Sequence, residues 1–360
     1  MTVLHEPTDL QRRYFAAANT AEGFVCYYDA IFSSLRKLYI VKGGPGTGKS
    51  RLMWDVANEA KNQNLSVELY FCSSDPHSLD GLVIPALSIG ILDGTAPHVR
   101  DPAYPGVRDD IINLGEFWKS DLLNEHLIEI QDIIDEKNRK YVQTYHYLNA
   151  ADKMDSLCRR MLLPAVLKDK MQHAAARSLR SLKSGDGLHC SVKLRSAISM
   201  RGIVTLDTYE HIAASVVYVR DKYHTGYLFL RDLIDILKEK KQEYTVSYTP
   251  LNPAYEDALY IPACDTSYIV TESLPDSLPQ NAAVVNMDRF LDHEVVRANR
   301  AKLRFGRQCC DALMEGAISE LSEIGRLHFT LEEIYISAMD FEKKEDYTKK
   351  LLNKIFRAKS

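Results

Sequence analysis

The fold of this chain is decided by the stretch LYIVKGGPGTGKS, residues 38–50. From Gly43 to Ser50 it fits the Walker A pattern Gly-x-x-x-x-Gly-Lys-Ser/Thr. The apolar residues before the glycines, 38–41, predict a buried parallel strand. The residues after them, 51–60, repeat apolar side chains at the spacing of one helix face. Strand, glycine loop and helix therefore follow one another in the order that a phosphate-binding loop requires.

The chemistry of such a loop follows from its backbone. Glycines let the chain turn so that successive N–H groups point inward, and the next helix adds the partial positive charge of its N-terminus. We therefore expect the loop to bind the phosphates of ATP with Mg²⁺ beside them. Lys49 is placed to reach the β- and γ-phosphates, and Ser50 to offer its hydroxyl to the metal. The predicted nucleotide-binding residues are Gly43, Gly44, Pro45, Gly46, Thr47, Gly48, Lys49, Ser50 and Arg51.

A second metal ligand is predicted at the end of a later apolar run. Residues 88–93 are typical of a strand that ends in one carboxylate, Asp93. In phosphate-loop NTPases an aspartate at this point holds Mg²⁺. An ordinary strand-end turn is the alternative, but the position after the glycine loop favours the metal. We therefore predict Lys49 and Asp93 as catalytic residues, and Ser50 and Asp93 as metal ligands.

Other candidates have two interpretations each. Asp75 and Asp80 flank a turn after the predicted strand 66–72, and Asp75 is our third catalytic candidate because it could orient the attacking water. Alternatively, Ser74 and Asp75 cap that turn.

The Pro-rich loop 96–106 and the residues just after it carry three further candidates, His98, Arg100 and Arg108. One of these arginines on a lid could stabilise transition-state charge. A solvated loop is the alternative.

The remaining pattern predicts an α/β chain. Strands are expected at 13–19, 66–72, 88–93 and 110–114, and helices at 20–32 and from 122 to about 183. The segment 184–187 is the predicted linker. The one dense basic cluster is Arg297, Arg300, Lys302, Arg304 and Arg307, which is either a stripe for phosphate backbones or a solvated helix surface.

The second half of the chain repeats the first. Residues 80–86 correspond to 257–263, an offset of 177 residues, and residues 112–113 correspond to 285–286, an offset of 173. We also align 147–152 with 335–340, an offset of 188. The expected architecture is therefore two tandem P-loop NTPase-like modules with parallel-sheet cores and long helical insertions. Their predicted ranges are 1–184 and 185–360.

The second copy lacks the chemistry of the first. Residues 47–50 correspond to Thr225-Gly226-Tyr227-Leu228, so the lysine and the hydroxyl are gone. Asp93 falls opposite Val270 or Thr271, and Asp221 brings a negative charge that would repel phosphate. The second module is therefore predicted to be degenerate.

Together these motifs resemble a family of uncharacterised bacterial ATPases built from two tandem phosphate-loop modules. The matching segments are 14–24, 43–50, 72–75, 93–98 and 112–116. The resemblance covers nearly the whole chain and implies ATP as the ligand. In that family the second module often carries its own glycine loop, and this chain departs from the pattern there.

Composition excludes several classes of protein. The chain has 360 residues, of which 46% are hydrophobic and 26% charged, and its net charge of -4 gives no general attraction to nucleic acid. Seven cysteines without a C-x-x-C spacing are typical of the reducing cytosol. The first residues lack the apolar core of a signal peptide, and no apolar run is long enough to span a bilayer. We expect a cytoplasmic protein without a membrane or nucleic-acid partner.

Two classes of function fit these features. The first is a slow Mg-dependent ATPase that acts as a nucleotide switch, with the second module binding an unknown protein or small molecule. The second is a small-molecule or nucleotide kinase whose helical insertion and Pro-rich loop close over an acceptor. A nucleic-acid-associated ATPase that uses the basic cluster is a third and weaker alternative. The absence of an Asn-Lys-x-Asp motif favours ATP over GTP.

Overall fold

The structure, a computed structural model, describes residues 11–97 and 99–357, so the candidate His98 lies outside the described residues. The described residues form two six-stranded sheets, two short hairpins and the helices that cover them. The predicted α/β class is confirmed. The sheets are mixed, because each contains antiparallel as well as parallel pairs.

The first sheet carries the glycine loop. Its strands are β1 (Gln11–Phe15), β4 (Lys37–Lys42), β5 (Val67–Phe71), β6 (Leu79–Ile84), β7 (Ile89–Asp93) and β8 (Asp109–Asn113), and the hairpin beside it is β2 (Ala17–Thr20) with β3 (Gly23–Cys26). The strand order is β1-β5-β6-β7-β4-β8. β4 runs parallel to both neighbours, whereas β6 runs antiparallel to β5 and β7. The loop after β4 therefore lies beside the end of β7, where Asp93 is.

The second sheet repeats this topology strand for strand. Its members are β9 (Cys190–Val192), β12 (Ser215–Arg220), β13 (Tyr244–Tyr248), β14 (Glu256–Ile261), β15 (Thr266–Thr271) and β16 (Ala282–Asn286), with a hairpin of β10 (Ser196–Ser199) and β11 (Gly202–Thr205). The order is β9-β13-β14-β15-β12-β16, with the same parallel and antiparallel pairs. Even the register irregularity in β5 recurs in β13.

Helices cover both sheets. They are α1 (Tyr28–Phe32), α2 (Lys49–Asn62), α3 (Ser120–Glu125), α4 (Leu127–Leu162), α5 (Lys168–Ser178), α6 (Thr208–His211), α7 (Gly226–Glu239), α8 (His293–Ser337) and α9 (Phe341–Arg357). The two long helices, α4 and α8, pack along each other. The predicted apolar face of α2 is confirmed, since Leu52, Met53, Val56, Ala57 and Ala60 are all buried.

The helix after each long helix packs on the other half of the chain. α5 contributes Met171 and Ala175 to the core of the second sheet, beside α7. α9 contributes Leu351 and Ile355 to the core of the first. Burying one such side chain as large as leucine stabilises a fold by roughly 1.5–3 kcal/mol. Each sheet therefore depends on a helix from the opposite half, and the boundary near 184 remains a prediction.

Two predictions about secondary structure and repeats are wrong. The predicted helix 20–32 begins instead with β3, because Gly23 has a φ of +102° and Thr20 Oγ1 accepts a hydrogen bond from Glu22 N (3.0 Å), which together make a hairpin turn. The alignment of 147–152 with 335–340 also fails. The first segment lies inside α4, whereas the second is the end of α8 and the turn after it.

Candidate functional site

The glycine loop joins the end of β4 to the start of α2. Gly46 and Gly48 have φ values of +65° and +79°, a backbone conformation that only glycine adopts without strain. α2 begins at Lys49, so the first N–H groups of the helix and the positive end of its dipole lie at the loop. This local geometry suits an anion.

Lys49 and Asp93 are brought together at this loop. The Lys49 ammonium donates hydrogen bonds to the carbonyl oxygens of Gly43 and Gly44, both at 2.8 Å, and lies 3.6 Å from Asp93 Oδ2. Asp93 Oδ1 accepts from Thr95 N (2.9 Å). Burial raises the pKa of Asp93, although the Lys49 charge acts against that shift. The carboxylate is thus a buried, fixed oxygen ligand next to a cation.

Ser50 lies on the first turn of α2. Its Oγ accepts a hydrogen bond from Leu79 N (3.0 Å), and Ser50 and Asp93 line the same cavity. Hydroxyl and carboxylate oxygens are ligands that Mg²⁺ prefers, so the residues fit that metal. Among the described residues, no group of three or more His, Cys, Asp or Glu side chains could hold a metal. A Mg²⁺ ion here would take its other ligands from phosphate oxygens and water.

Asp75 is committed to its own turn. Its Oδ1 accepts from His77 N (3.3 Å) and its Oδ2 from Ser78 Oγ (3.0 Å), which is the capping arrangement. It also lines the cavity, together with the buried Asp80. Arg51 lies at the cavity edge and pairs with Asp55 at 3.1 Å.

The two described lid candidates are engaged elsewhere. Arg100 pairs with Asp29, on α1. Arg108 donates to Asp109 Oδ1 (2.6 Å) and to the carbonyl oxygen of Ser33 (2.7 Å). These contacts favour the alternative in which the Pro-rich loop is an ordinary surface segment.

The loop opens into a cavity of about 890 Å³ beneath the α4–α8 pair. α4 contributes Ile134, Lys137, Asn138, Tyr141 and Tyr145, and α8 contributes Leu321, Ile324, Gly325, His328, Glu332 and Ile336. The sequence motifs gave no sign of these residues. They belong to helices with ordinary amphipathic patterns, and those of α8 lie in the other repeat.

The end of α8 and the start of α9 cover the glycine loop. A Cβ atom at Gly46 would lie 2.7 Å from the carbonyl oxygen of Glu332 and 2.9 Å from Ile336 Cγ1. A Cβ atom at Gly44 would lie 3.3 Å from the Tyr335 ring. Lys344 lies against Gly48, at 3.4 Å from the same construction. The second half of the chain therefore forms part of the wall around the loop.

Glu332 is the charged residue of this wall that faces the loop. Its carboxylate accepts a hydrogen bond from the Gly46 N–H, and His328 Nε2 lies 3.5 Å from its Oε1. Lys137, on α4, lies 3.1 Å from His328 Nδ1. Burial acts to raise the pKa of Glu332, but His328, the Gly46 N–H and the Lys49 charge together lower it. Glu332 is therefore ionised beside the phosphate-binding backbone.

The degenerate loop of the second module is filled by its own side chain. The buried Asp221 accepts hydrogen bonds from Gly226 N (2.5 Å) and Tyr223 N (3.0 Å), and its Oδ1 lies 3.3 Å from Thr225 Oγ1. A carboxylate thus takes the N–H group at the start of α7 that a phosphate would otherwise use. The physical reason for the predicted loss of phosphate binding is direct competition as well as charge repulsion.

Beside this loop lies a second cavity, of about 720 Å³. His224 lies 2.6 Å from Asp155 and 2.9 Å from Glu272, so it joins α4 to the end of β15. Of the basic cluster, Arg300, Arg304 and Arg307 line the cavity, and Arg307 also pairs with Glu272. The cluster is therefore divided between this cavity and the solvated face of α8.

Comparison of the chain with protein-family models, with curated proteins and with solved structures finds no match. Within residues 11–97 and 99–357, no helix has both the length and the apolar character that crossing a bilayer requires.

Proposed function

We propose that this chain is an ATP-binding P-loop NTPase, a slow Mg-dependent ATPase that acts as a nucleotide switch. The observation that carries the proposal is the Lys49 ammonium, held inside the glycine loop at the N-terminus of α2 and 3.6 Å from Asp93. A cation, a carboxylate and inward-facing backbone in this order suit a metal-bound polyphosphate better than any other common ligand.

The roles of the residues follow from their positions. The loop backbone and the start of α2 would bind the phosphates, Lys49 would contact the β- and γ-phosphates, and Ser50 and Asp93 would hold Mg²⁺. When bound, the metal neutralises charge on the phosphate oxygens. Both oxygens of Asp75 accept hydrogen bonds within its turn, so it offers no free carboxylate oxygen for a water. That arrangement is compatible with slow hydrolysis.

The switch part of the proposal rests on the contact between the loop and α8. A ligand shifts an equilibrium only by its differential affinity for two states. Glu332 and Ile336 touch Gly46, so any ligand that displaces the loop backbone or its charge acts on α8 directly. The second module is joined to that helix and would report the change to a protein or small-molecule partner.

A small-molecule or nucleotide kinase is the second candidate, and the large cavity favours it. Its volume of about 890 Å³ lies near the upper end of the usual 300–1,000 Å³ range of ligand sites. Tyr141, Lys137 and His328 could bind an acceptor there. Incubation with γ-labelled ATP separates the two candidates, since a hydrolase releases labelled phosphate whereas a kinase transfers it to an added metabolite.

Calorimetric titration with Mg-ATP tests the proposal. One site per chain is expected, because one loop keeps its lysine and Asp221 fills the other. Lys49→Ala should abolish the heat of binding, whereas Lys61→Ala, an exposed lysine at the end of the same helix, should not. Two sites, or binding that survives Lys49→Ala, would refute the proposal.

A further inference from the structure

Glu332 is an acidic residue in a place that should attract only cations or neutral groups. A phosphate-binding loop works because its N–H groups and its lysine are available to an anion. Here the Gly46 N–H already donates to the Glu332 carboxylate, and Lys49 contributes to the same electrostatic environment. The acid comes from the second repeat, so it is not part of the loop motif itself.

The position of Glu332 is fixed from both halves of the chain. If Lys137 donates to His328 Nδ1, the proton of the neutral ring is on Nε2, which faces Glu332. The backbone of Glu332 also contacts Gly46, since its carbonyl oxygen lies 2.7 Å from the position that a Cβ would take there. The carboxylate cannot leave the loop by a simple rotation without losing these contacts.

The groups that face Glu332 indicate which phosphate it would meet. Lys49 reaches the outer phosphates of a bound nucleotide, and the helix N-terminus holds the inner ones. Gly46 precedes Lys49 in the loop and lies farther from the start of α2. The carboxylate therefore lies towards the position of a terminal γ-phosphate, where two negative groups would compete for the same N–H and the same ammonium.

We propose that Glu332 is a specificity-determining residue that disfavours the γ-phosphate, so that the site binds ADP more tightly than ATP. This inference rests on the proposed nucleotide site. ADP leaves the Gly46–Glu332 contact in place. ATP must displace the carboxylate or accept its repulsion, and either costs affinity for ATP alone.

Dissociation constants of Mg-ATP and Mg-ADP, measured by calorimetry on the full chain, test the inference. Wild type should prefer ADP. Glu332→Gln keeps the shape and removes the charge, so ATP affinity should rise about tenfold and ADP affinity should change less than about twofold. Glu333→Gln is the matched control, because the neighbouring Glu333 is exposed and is not among the residues lining the cavity. Glu332→Ala is a second charge-removing variant, and all variants should melt like wild type.

Each other outcome overturns the inference. An unchanged ATP-to-ADP ratio in Glu332→Gln and Glu332→Ala would show that the carboxylate does not meet the γ-phosphate. Unchanged affinities with lost hydrolysis would make Glu332 a water-orienting catalytic residue instead. If wild type binds no nucleotide, the proposed function fails as well, and that result is distinct from a wild type that binds both nucleotides with no effect of Glu332.

Discussion

The backbone of Phe15 pairs with the backbone of Leu194, which is its own counterpart in the second repeat. Phe15 N lies 2.8 Å from Leu194 O, and Leu194 N lies 3.2 Å from Phe15 O. The same offset of 179 positions, from 15 to 194, relates β2 to β10 and β3 to β11. A residue that exchanges hydrogen bonds with its equivalent lies on a two-fold axis. The repeats are therefore arranged like the protomers of a symmetric dimer within one chain.

This pseudo-symmetry places each loop against the long helix of the other repeat. The bridges Trp118–Met339 and Leu291–Val166 are counterparts at an offset of 173 residues. At the same offset, Glu332 in α8 corresponds to Arg159 in α4, which lines the second cavity. An acid therefore faces the loop that keeps its lysine, and a guanidinium lies beside the loop that is filled by Asp221.

Asp93→Asn should impair hydrolysis far more than nucleotide binding. The substitution keeps the hydrogen bond from Thr95 but removes the charge that a metal ligand supplies, and that charge matters most in the transition state. We expect kcat to fall about 100-fold or more, with ATP affinity changing less than about tenfold. Steady-state kinetics and calorimetry measure the two effects. The control is Asp101→Asn, a side chain that is 82% exposed; equal hydrolysis by wild type and Asp93→Asn would assign Asp93 to a structural role.

The part of the site that sequence could predict is local. The strand, the glycine loop and the helix follow short periodic patterns, so β4, α2 and the Lys49–Asp93 pair could all be inferred before the structure. The order of strands followed from the same features only in part. β6 was not separated from the apolar run that continues into β7, because both strands are buried on both faces and show no alternation.

The rest depends on distant segments. Glu332, Tyr335 and Lys344 reach the loop only because α8 crosses to the other repeat and α9 packs on the first sheet. No local pattern marks that crossing. The misaligned segment 335–340 has the same physical cause, since amphipathic helices match one another at several offsets. The correct offset of 173 became clear only from the paired bridges.

Gly46→Ala should weaken the contact between the repeats. Alanine at a φ of +65° is strained, and its Cβ would overlap the Glu332 carbonyl and Ile336. The matched control is Gly106→Ala, with a φ of +73° and no atom within 4 Å of the new Cβ. The control should lose about 1 kcal/mol of unfolding free energy from strain alone, and Gly46→Ala about 1–3 kcal/mol more from overlap. Urea unfolding measures both, and equal losses would show that α8 yields without cost.

His224 should make the stability of the second module depend on pH. Burial acts to lower the pKa of His224, but hydrogen bonds with Asp155 and Glu272 raise it to about 10. Since the unfolded value is about 6.5, the contribution of the charged ring is complete below that pH and is lost as pH rises towards 10. On the acid side, the His224 hydrogen bond lowers the pKa of Glu272 to about 2, so its contribution is lost as pH falls through that value.

The stability difference between wild type and His224→Gln should therefore be largest between about pH 4.5 and 6.5. It should shrink on going to pH 10. Urea midpoints at several pH values measure it, with His211→Gln, which removes an exposed ring paired with Asp207, as the control for loss of an imidazole. A difference that does not vary from pH 6 to pH 10 would mean that the ring is not held in its charged form by these carboxylates.

Hydrogen exchange in the apo, ADP and ATP states should show the switch at the end of α8. ATP must act on the Gly46–Glu332 contact, whereas ADP leaves it intact, so amide protection around residues 325–344 should differ between the two nucleotides. Because α9 completes the core of the first sheet, the change should continue into that helix. Lys49→Ala, which cannot bind nucleotide in this scheme, should show no nucleotide-dependent change. If every change stays within the first 184 residues, the second repeat is not the readout, and rapid transfer of phosphate to an added acceptor would then favour the kinase.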